Sequence, residues 1–224
     1  MEIAGEMRFI IAGLSSIGRS LAELLHSKGE DVVTVDSDKA KCDELAEFSD
    51  VMVIAGDITK KSVLEEAGGK NAYALIALTD DDSDNLMACM LAKEMGTKKV
   101  ISILNDPAHA QAFEEAQIDV QVKPDVVVAK HIYHSILQPY VKDFLALGRA
   151  DLFEIKVESG MKCIGKKLTE MDIPKGVKIL WLERGKEYLN EDTMVAPEDR
   201  LTLVVNKAAE KKGADFMNRC FTKG

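Results

Sequence analysis

Met7-Arg8-Phe9-Ile10-Ile11-Ala12-Gly13-Leu14-Ser15-Ser16-Ile17-Gly18 is followed, after an amphipathic stretch, by Val32-Val33-Thr34-Val35-Asp36. An apolar run ending on glycine, a glycine-bearing turn, a helical repeat and a second apolar run closed by an acid form the order of a nucleotide-binding strand, turn, helix and strand. The usual spacing is G-x-G-x-x-G with an acid about 20 residues further on. Gly13, Gly18 and Asp36 supply the first glycine, the last glycine and the acid, and Ser15 stands where the middle glycine belongs.

Outward from this stretch, Arg8 to about Gln138 alternates short β-branched runs with amphipathic segments, the pattern of βαβ units and a parallel sheet. Strands are expected at 7–12, 31–35, 51–54, 72–77, 99–103 and 119–122. Ile17, Leu21, Leu24 and Leu25 recur at helical spacing over 17–28, and Leu86, Met87, Met90, Leu91 and Met95 do so over 84–95. Pro124 suits the first turn of a helix running to about Leu137, and Pro139 ends it. Val141 to Leu147 reads as one further short amphipathic stretch before Gly148-Arg149-Ala150, where the domain boundary is placed. Beyond it, Leu152 to Val157 alternates like a half-exposed strand, Ile164 to Met171 suits a short helix, and 177–182 and 201–205 are apolar runs. The fold expected is α/β: a doubly wound Rossmann-like parallel sheet over 7–138, a linker over 139–149, a small α+β subdomain over 150–206 and a charged tail over 207–224.

The composition excludes several function classes. Of 224 residues 46% are apolar, enough for a real core, and the formal net charge of -9 argues against a nucleic-acid partner, which requires a basic face. Apolar runs such as Val51 to Ala55 and Ala74 to Leu78 fall far short of the roughly 20 residues of a spanning helix. Met1 to Glu6 lacks the basic region and apolar stretch of a secretory signal, and Cys42, Cys89, Cys163 and Cys220 are scattered, so a cytoplasmic, reduced protein is expected.

The candidate site residues have bland counterparts. Gly13 and Gly18 bring backbone N–H groups to face a phosphate, or merely fit the turn. Asp36 accepts from ribose hydroxyls and repels a 2′-phosphate, disfavouring NADP, or it caps the next helix. A Cβ at Ser15 takes up space that pyrophosphate would use, unless its hydroxyl donates to a phosphate or the ligand is displaced. Asp80, Asp82 and Asp84 have the D-x-D-x-D spacing of a calcium loop, but Asn85 and Leu91 stand where its glycine and glutamate belong, so helix capping is favoured. His131 and His134 lie three apart on a helix without a third ligand in a recognised spacing, which favours a packed or exposed face over zinc. Cys89 falls on an apolar face. No nucleophile elbow, phosphate-binding GK[ST] loop or H-E-x-x-H pair is present, which favours ligand sensing over catalysis.

Further motifs carry a resemblance. Ala55-Gly56-Asp57-Ile58-Thr59, Leu64-Glu65-Glu66-Ala67-Gly68, Ala77-Leu78-Thr79-Asp80-Asp81-Asp82-Ser83-Asp84-Asn85, Gly165-Lys166-Lys167-Leu168, Ile173-Pro174-Lys175-Gly176-Val177 and Glu198-Asp199-Arg200-Leu201 extend it over most of the chain. The chain resembles the TrkA/KtrA-type regulatory proteins of potassium uptake systems and potassium channels, built from RCK domains. The resemblance implies a non-enzymatic cytosolic gating subunit, peripheral to the membrane through a membrane-embedded potassium transporter or channel. It also implies homodimers assembling into a ring, with Val141 to Leu147 a dimerising helix. Nucleotide contacts would fall on Gly13, Ser15, Ser16, Ile17, Asp36, Asp57 and Thr79, with Asp36 on the ribose, Asp57 near the base and Thr79 near the phosphates. The ligand would be NAD(H) or an adenine nucleotide, ATP, ADP or AMP. The family often carries arginine where Ile103 stands, so with Ser15 two phosphate-side features differ, and Arg19 near the first helix could supply charge instead. An NAD-dependent oxidoreductase and an RCK scaffold sensing a cation or a ligand of its C-terminal subdomain are the alternatives.

Overall fold

The computed structural model describes residues 7–147 and 149–224. Met1 to Glu6, read above for a secretory signal, and Gly148 of the expected boundary lie outside the described residues. The chain forms two compact units that part between Asp125 and Val126.

In the first unit the chain runs β1 (Arg8–Ala12), α1 (Ser16–Ser27), β2 (Asp31–Asp36), α2 (Lys39–Phe48), β3 (Met52–Ala55), α3 (Lys61–Glu66), β4 (Ala74–Ala77), α4 (Asp82–Met95), β5 (Lys99–Ile103), α5 (Ala110–Glu115) and β6 (Val120–Val122). The six strands form one parallel sheet in the order β3-β2-β1-β4-β5-β6. Alternation within the strands splits their side chains between two layers. Ile10, Ala12, Val33, Val35 and Leu75 pack with Leu64, Ala88, Ala92 and Phe113. Ile11, Val32, Ile76 and Ile103 pack with Ala22 of α1. Both faces are therefore covered, which explains why the strands read as continuous apolar runs. The connections run outward from β1 through β2 to β3, then from β4 through β5 to β6. The strand order reverses between β1 and β4, and a crevice opens at their carboxyl ends.

The second unit contains most of α6 (Pro124–Leu137) and all of β7 (Val141–Ala146), β8 (Ala150–Lys156), β9 (Val177–Arg184), β10 (Glu187–Leu189), β11 (Arg200–Asn206) and α7 (Glu210–Phe221). Its antiparallel sheet has the order β10-β9-β11-β8-β7. The core joins Phe153, Ile155, Leu182, Leu201 and Leu203 to Phe216, Met217 and Phe221 of α7, so the charged tail docks through its apolar face.

Three expectations are corrected here. Residues 139–149 are not a linker or dimerising helix: Val141–Ala146 is an edge strand on β8. Its register shifts between Val141 and Asp143, which breaks the period-two alternation and lets a seven-residue apolar-rich run imitate a helical turn. Phe144 of that strand packs on Phe153, with ring centroids 5.2 Å apart, and on His134 of α6 at 4.2 Å, so helix and strand share one core. The units accordingly part near 125 rather than near 148–150. The helix expected over 164–171 shrinks to one 3₁₀ turn at Leu168–Glu170. No helix among the described residues is long and apolar enough to cross a membrane.

The first turn fixes α1 against the sheet. A Cβ on Gly18 would lie 2.0 Å from the Gly13 carbonyl oxygen, and one on Gly13 would lie 2.8 Å from the Leu78 carbonyl carbon and the Thr79 nitrogen. Gly13 also has φ of +106°. Gly18→Ala is expected to destabilise the protein by about 3 kcal/mol, the upper range for overpacking against unyielding backbone. A urea midpoint equal to that of the wild type would show that the helix can move off the turn.

Candidate functional site

Loops following β1, β2, β3 and β4 converge at the crevice on a cleft of about 480 Å³. Of the seven residues expected at a nucleotide, Gly13, Ser15, Asp36, Asp57 and Thr79 line it. Ser16 and Ile17 do not. Both are exposed and border a separate surface groove with Ser20, Leu21 and Leu24. Their backbone N–H groups belong to the first turn of α1 and have no intrahelical acceptor.

Asp36 closes β2 and is almost fully buried. Its Oδ2 accepts the Leu14 N–H at 2.6 Å and its Oδ1 the Asp38 N–H at 2.8 Å. It does not cap α2: Asp38 does, accepting from the Ala40 N–H. Asp36 therefore clamps the turn after β1 to the turn after β2, and its remaining lone pairs are those that could meet a ribose.

Ser15 is the N-cap of α1. Its hydroxyl oxygen accepts the Gly18 N–H at 3.3 Å, and its hydroxyl hydrogen goes to the Leu78 carbonyl at 3.2 Å. That hydrogen is thus committed within the protein rather than offered to a phosphate. Arg19 pairs with Glu44 at 2.6 Å, and Ile103 is packed in the core under α1. Neither brings charge to the cleft.

Thr79 is positioned by a fully buried Asn85 on α4. The Asn85 Oδ1 accepts both the Thr79 N–H at 3.0 Å and its hydroxyl at 2.8 Å, while the Asn85 Nδ2 donates to the Thr79 carbonyl at 2.9 Å. Asn105 adds a second bond to that carbonyl at 3.2 Å. Asn105 is itself held by the buried Asp82, whose Oδ1 accepts its N–H, while the Asp82 Oδ2 accepts the Asp106 N–H and meets His109 Nδ1 at 2.9 Å. Burial acts to raise the Asp82 carboxyl, but the two N–H groups and the His109 ring outweigh it and keep it below its ordinary value. The hydrogen bond to Asp82 raises His109 above its own.

The rest of the lining is Ser37, Lys41, Ile58, Thr59, Leu78, Asp80, Asp81 and Asp84. Sequence reading had left Ser37, Lys41, Ile58 and Thr59 without roles, although each follows the carboxyl end of a strand, where such folds bind ligands. Asp81 caps α4 through the N–H groups of Asp84 and Ser83, which hold its pKa below the ordinary range. The Thr59 hydroxyl and then its N–H do the same for Asp57. Asp84 is raised, by burial first and then by Asp81 and Asp57. The acids of the D-x-D-x-D run diverge, Asp82 turning inward and Asp80 and Asp84 lining the cleft. Among the described residues no three His, Cys, Asp or Glu side chains are grouped to hold a metal ion. His131 is exposed, whereas His134 is buried against Phe144 and Phe153, with Gln138 Oε1 at 3.1 Å. Cys89 is fully buried, and burial pushes its thiol up to about 12, leaving it an inert core group.

A family model described as the TrkA-N domain matches residues 9–124, a little over half of the chain. The chain is 31% identical over 211 residues to the "Trk system potassium uptake protein TrkA homolog" of Pyrococcus abyssi, covering 90% of this chain and 92% of that one. Among solved structures it is similar to the GsuK RCK domain (TM-score 0.67, 19% identity), covering 98% of this chain and 49% of that one. It is likewise similar to the GsuK channel bound to NAD (TM-score 0.64, 19% identity), covering all of this chain and 41% of that one. The chain thus spans half or less of these two solved chains, and those likenesses show the fold.

The Asp82–His109 pair makes stability depend on pH in a defined sense. Because His109 is raised in the fold, its contribution is complete below its ordinary pKa of about 6.5 and is lost as pH rises through the raised value. The Asp82 contribution is complete above the ordinary carboxylate value of about 4 and is lost as pH falls through its lowered one. The difference in urea midpoint between the wild type and His109→Gln should therefore be larger at pH 6 than at pH 9. Equal differences at the two pH values would remove the ion pair as the cause.

Proposed function

Since the chain belongs to the TrkA-N domain family, we propose that it is a regulatory subunit of a potassium transporter or channel, with the cleft of its first unit as a nucleotide sensor. It is a regulatory protein, not an enzyme. One observation carries the nucleotide reading: the switch point of a doubly wound parallel sheet brings the Gly13 turn, the Asp36 carboxylate, Asp57 and Thr79 into a single cleft. Helix-terminal N–H groups there suit a phosphate and a strand-end acid suits a ribose. NAD(H) or an adenine nucleotide is the ligand class, and the solved GsuK channel that carries NAD in a similar fold supports it. A carboxylate at Asp36, at the position of the ribose in this reading, selects against a 2′-phosphate.

A membrane-embedded potassium transporter or channel subunit is the partner that the similarity to Trk potassium uptake proteins supports. Self-association is supported by α6, whose Val128, Ile132 and Ile136 recur at every fourth residue and are 55%, 53% and 70% exposed, with Tyr133 and Leu137 beside them. Apolar area of this kind on a helix face is what a second copy would cover, and α6 replaces the 141–147 stretch in that role. Pairing of copies into a ring gives the nucleotide something to bias, since only a ligand with different affinities for two ring states can gate a pore.

A second reading, in which the second unit is the sensor, is favoured by a hollow of about 450 Å³ there, lined by Leu168, Met171, Ile173, Trp181 and Glu191. The two readings separate by mutation. Calorimetry with NAD, NADH, ATP, ADP and AMP should detect at least one binder. Asp36→Ala should weaken it at least about tenfold, the loss of hydrogen bonds to a charged group, whereas Trp181→Ala should leave it unchanged. NADPH should bind at least about tenfold more weakly than NADH. If none of the five nucleotides gives a signal or moves the thermal midpoint, the cleft is not a nucleotide site. A ligand whose binding survives Asp36→Ala and is lost in Trp181→Ala would place the sensor in the second unit.

A further inference from the structure

Resting on the nucleotide reading of the cleft, we propose that Asp80 and Asp84 form a charge filter that admits nucleotides of low negative charge, a nucleoside monophosphate or a dinucleotide, and rejects metal-free nucleoside triphosphates. Five carboxylates line the cleft, Asp36, Asp57, Asp80, Asp81 and Asp84, and Lys41 is the only basic residue among the described residues that line it. Three of the five have structural duties. Asp36 clamps two turns, Asp57 holds Thr59 in its loop, and Asp81 caps α4. Asp80 and Asp84 make no such bonds: among the described residues neither carboxylate accepts a hydrogen bond or joins an ion pair, both are exposed where they border the cleft, and the one structural contribution is the charge of Asp84 in the first turn of α4.

Hydrogen bonding within the fold therefore does not account for these two acids, while their position gives them a definite electrostatic effect. Both line the cleft with Thr79, Asp80 in the turn after β4 and Asp84 in the first turn of α4. Asp57, after β3, lies close enough to Asp84 to disfavour its ionisation, as Asp81 does. A polyphosphate entering between such groups meets like charge in a recess partly walled off from water, and each further phosphate adds charge to be opposed. Repulsion of this sort discriminates between ligands that share the same adenosine contacts. A dinucleotide places a ribose and a base in that position instead, and the carboxylates can accept from ribose hydroxyls.

Titration calorimetry in EDTA with AMP and ATP tests this on the whole chain, using wild type and the double variant Asp80→Asn with Asp84→Asn. Because neither carboxylate bonds within the fold, the variant should fold normally, with a midpoint lowered only slightly by loss of the Asp84 charge at the start of α4. At about 50 mM salt the wild type should bind AMP at least about tenfold more tightly than ATP. The double variant should narrow that gap to about threefold or less by strengthening ATP while leaving AMP nearly unchanged, and about 500 mM salt should narrow it in the wild type. Wild-type ATP binding as tight as that of AMP, or a gap that the variant leaves intact, overturns the filter while the nucleotide site stands. Failure of AMP and ATP to bind either protein overturns the filter, and failure of NAD, NADH and ADP as well overturns the nucleotide site with it.

Discussion

The contact between the Cα of Gly18 and the carbonyl of Gly13 sets the geometry of the first unit. Any side chain at Gly18 would occupy the carbonyl oxygen, and any side chain at Gly13 would strike the backbone of Leu78 and Thr79. The helix can therefore start only here, close enough to the sheet for Ala22 to seat on Ile11 and Ile76. The same approach brings the turn after β1 against the turn after β4, so that the switch point of the sheet is narrow at its base and open above. These two glycines need no ligand to explain them. Their presence establishes the fold, and the evidence for a ligand has to come from the side chains placed around them.

Those side chains divide by whether the fold uses them. Asp36, Asn85, Asp82 and Ser15 are buried or half-buried polar groups, and each links one loop to another: Asp36 the first to the second, Ser15 the first to the fourth, Asn85 the fourth to its own helix, Asp82 that helix to the loop after β5. Hydrogen bonds to charged groups in such places contribute about 1.5–3 kcal/mol each, and leaving their N–H partners unpaired costs a similar amount. The rim of the cleft is thus a cross-braced polar frame on an apolar sheet. Groups outside this frame, Lys41, Asp80 and Asp84 among them, are the ones left to set what the cleft accepts.

Much of this was legible in the chain. Period and length placed all six parallel strands, because strands buried on both faces read as continuous apolar runs with sharp ends. The glycine turn and Asp36 located the cleft. The second unit was harder. Its boundary was missed because α6 reads as the last helix of a βαβ series, while its packing partners, Phe144 and Phe153, lie on strands that a one-dimensional pattern does not connect to it. β7 was misread because a register shift interrupts its alternation within six residues. Ser16 and Ile17 were expected at the ligand from the family resemblance, and matching position along a helix start does not say which way their side chains face. Nor does it distinguish Asp82, drawn inward by two backbone N–H groups, from Asp80 and Asp84 on either side of it.

The serine in place of the middle glycine takes on a specific meaning in this frame. Its φ of -61° is open to any residue, so no backbone strain demands glycine there. What the serine adds is a bridge: one hydroxyl accepts from the start of α1 and donates to the last carbonyl before the Thr79 loop. A glycine would leave those two loops joined only by backbone packing and would make room for a phosphate between them. With the serine, the α1 terminus and the Thr79 loop are tied before any ligand arrives. The Thr79 loop is bonded in turn to Asn85 of α4, and Asp82 of α4 to the loop after β5 and to His109 at the start of α5, so a ligand touching both loops would meet one cross-bonded frame. Rigid coupling of this kind suits a sensor, in which a small displacement at the cleft has to be delivered to distant surfaces rather than absorbed where it arises.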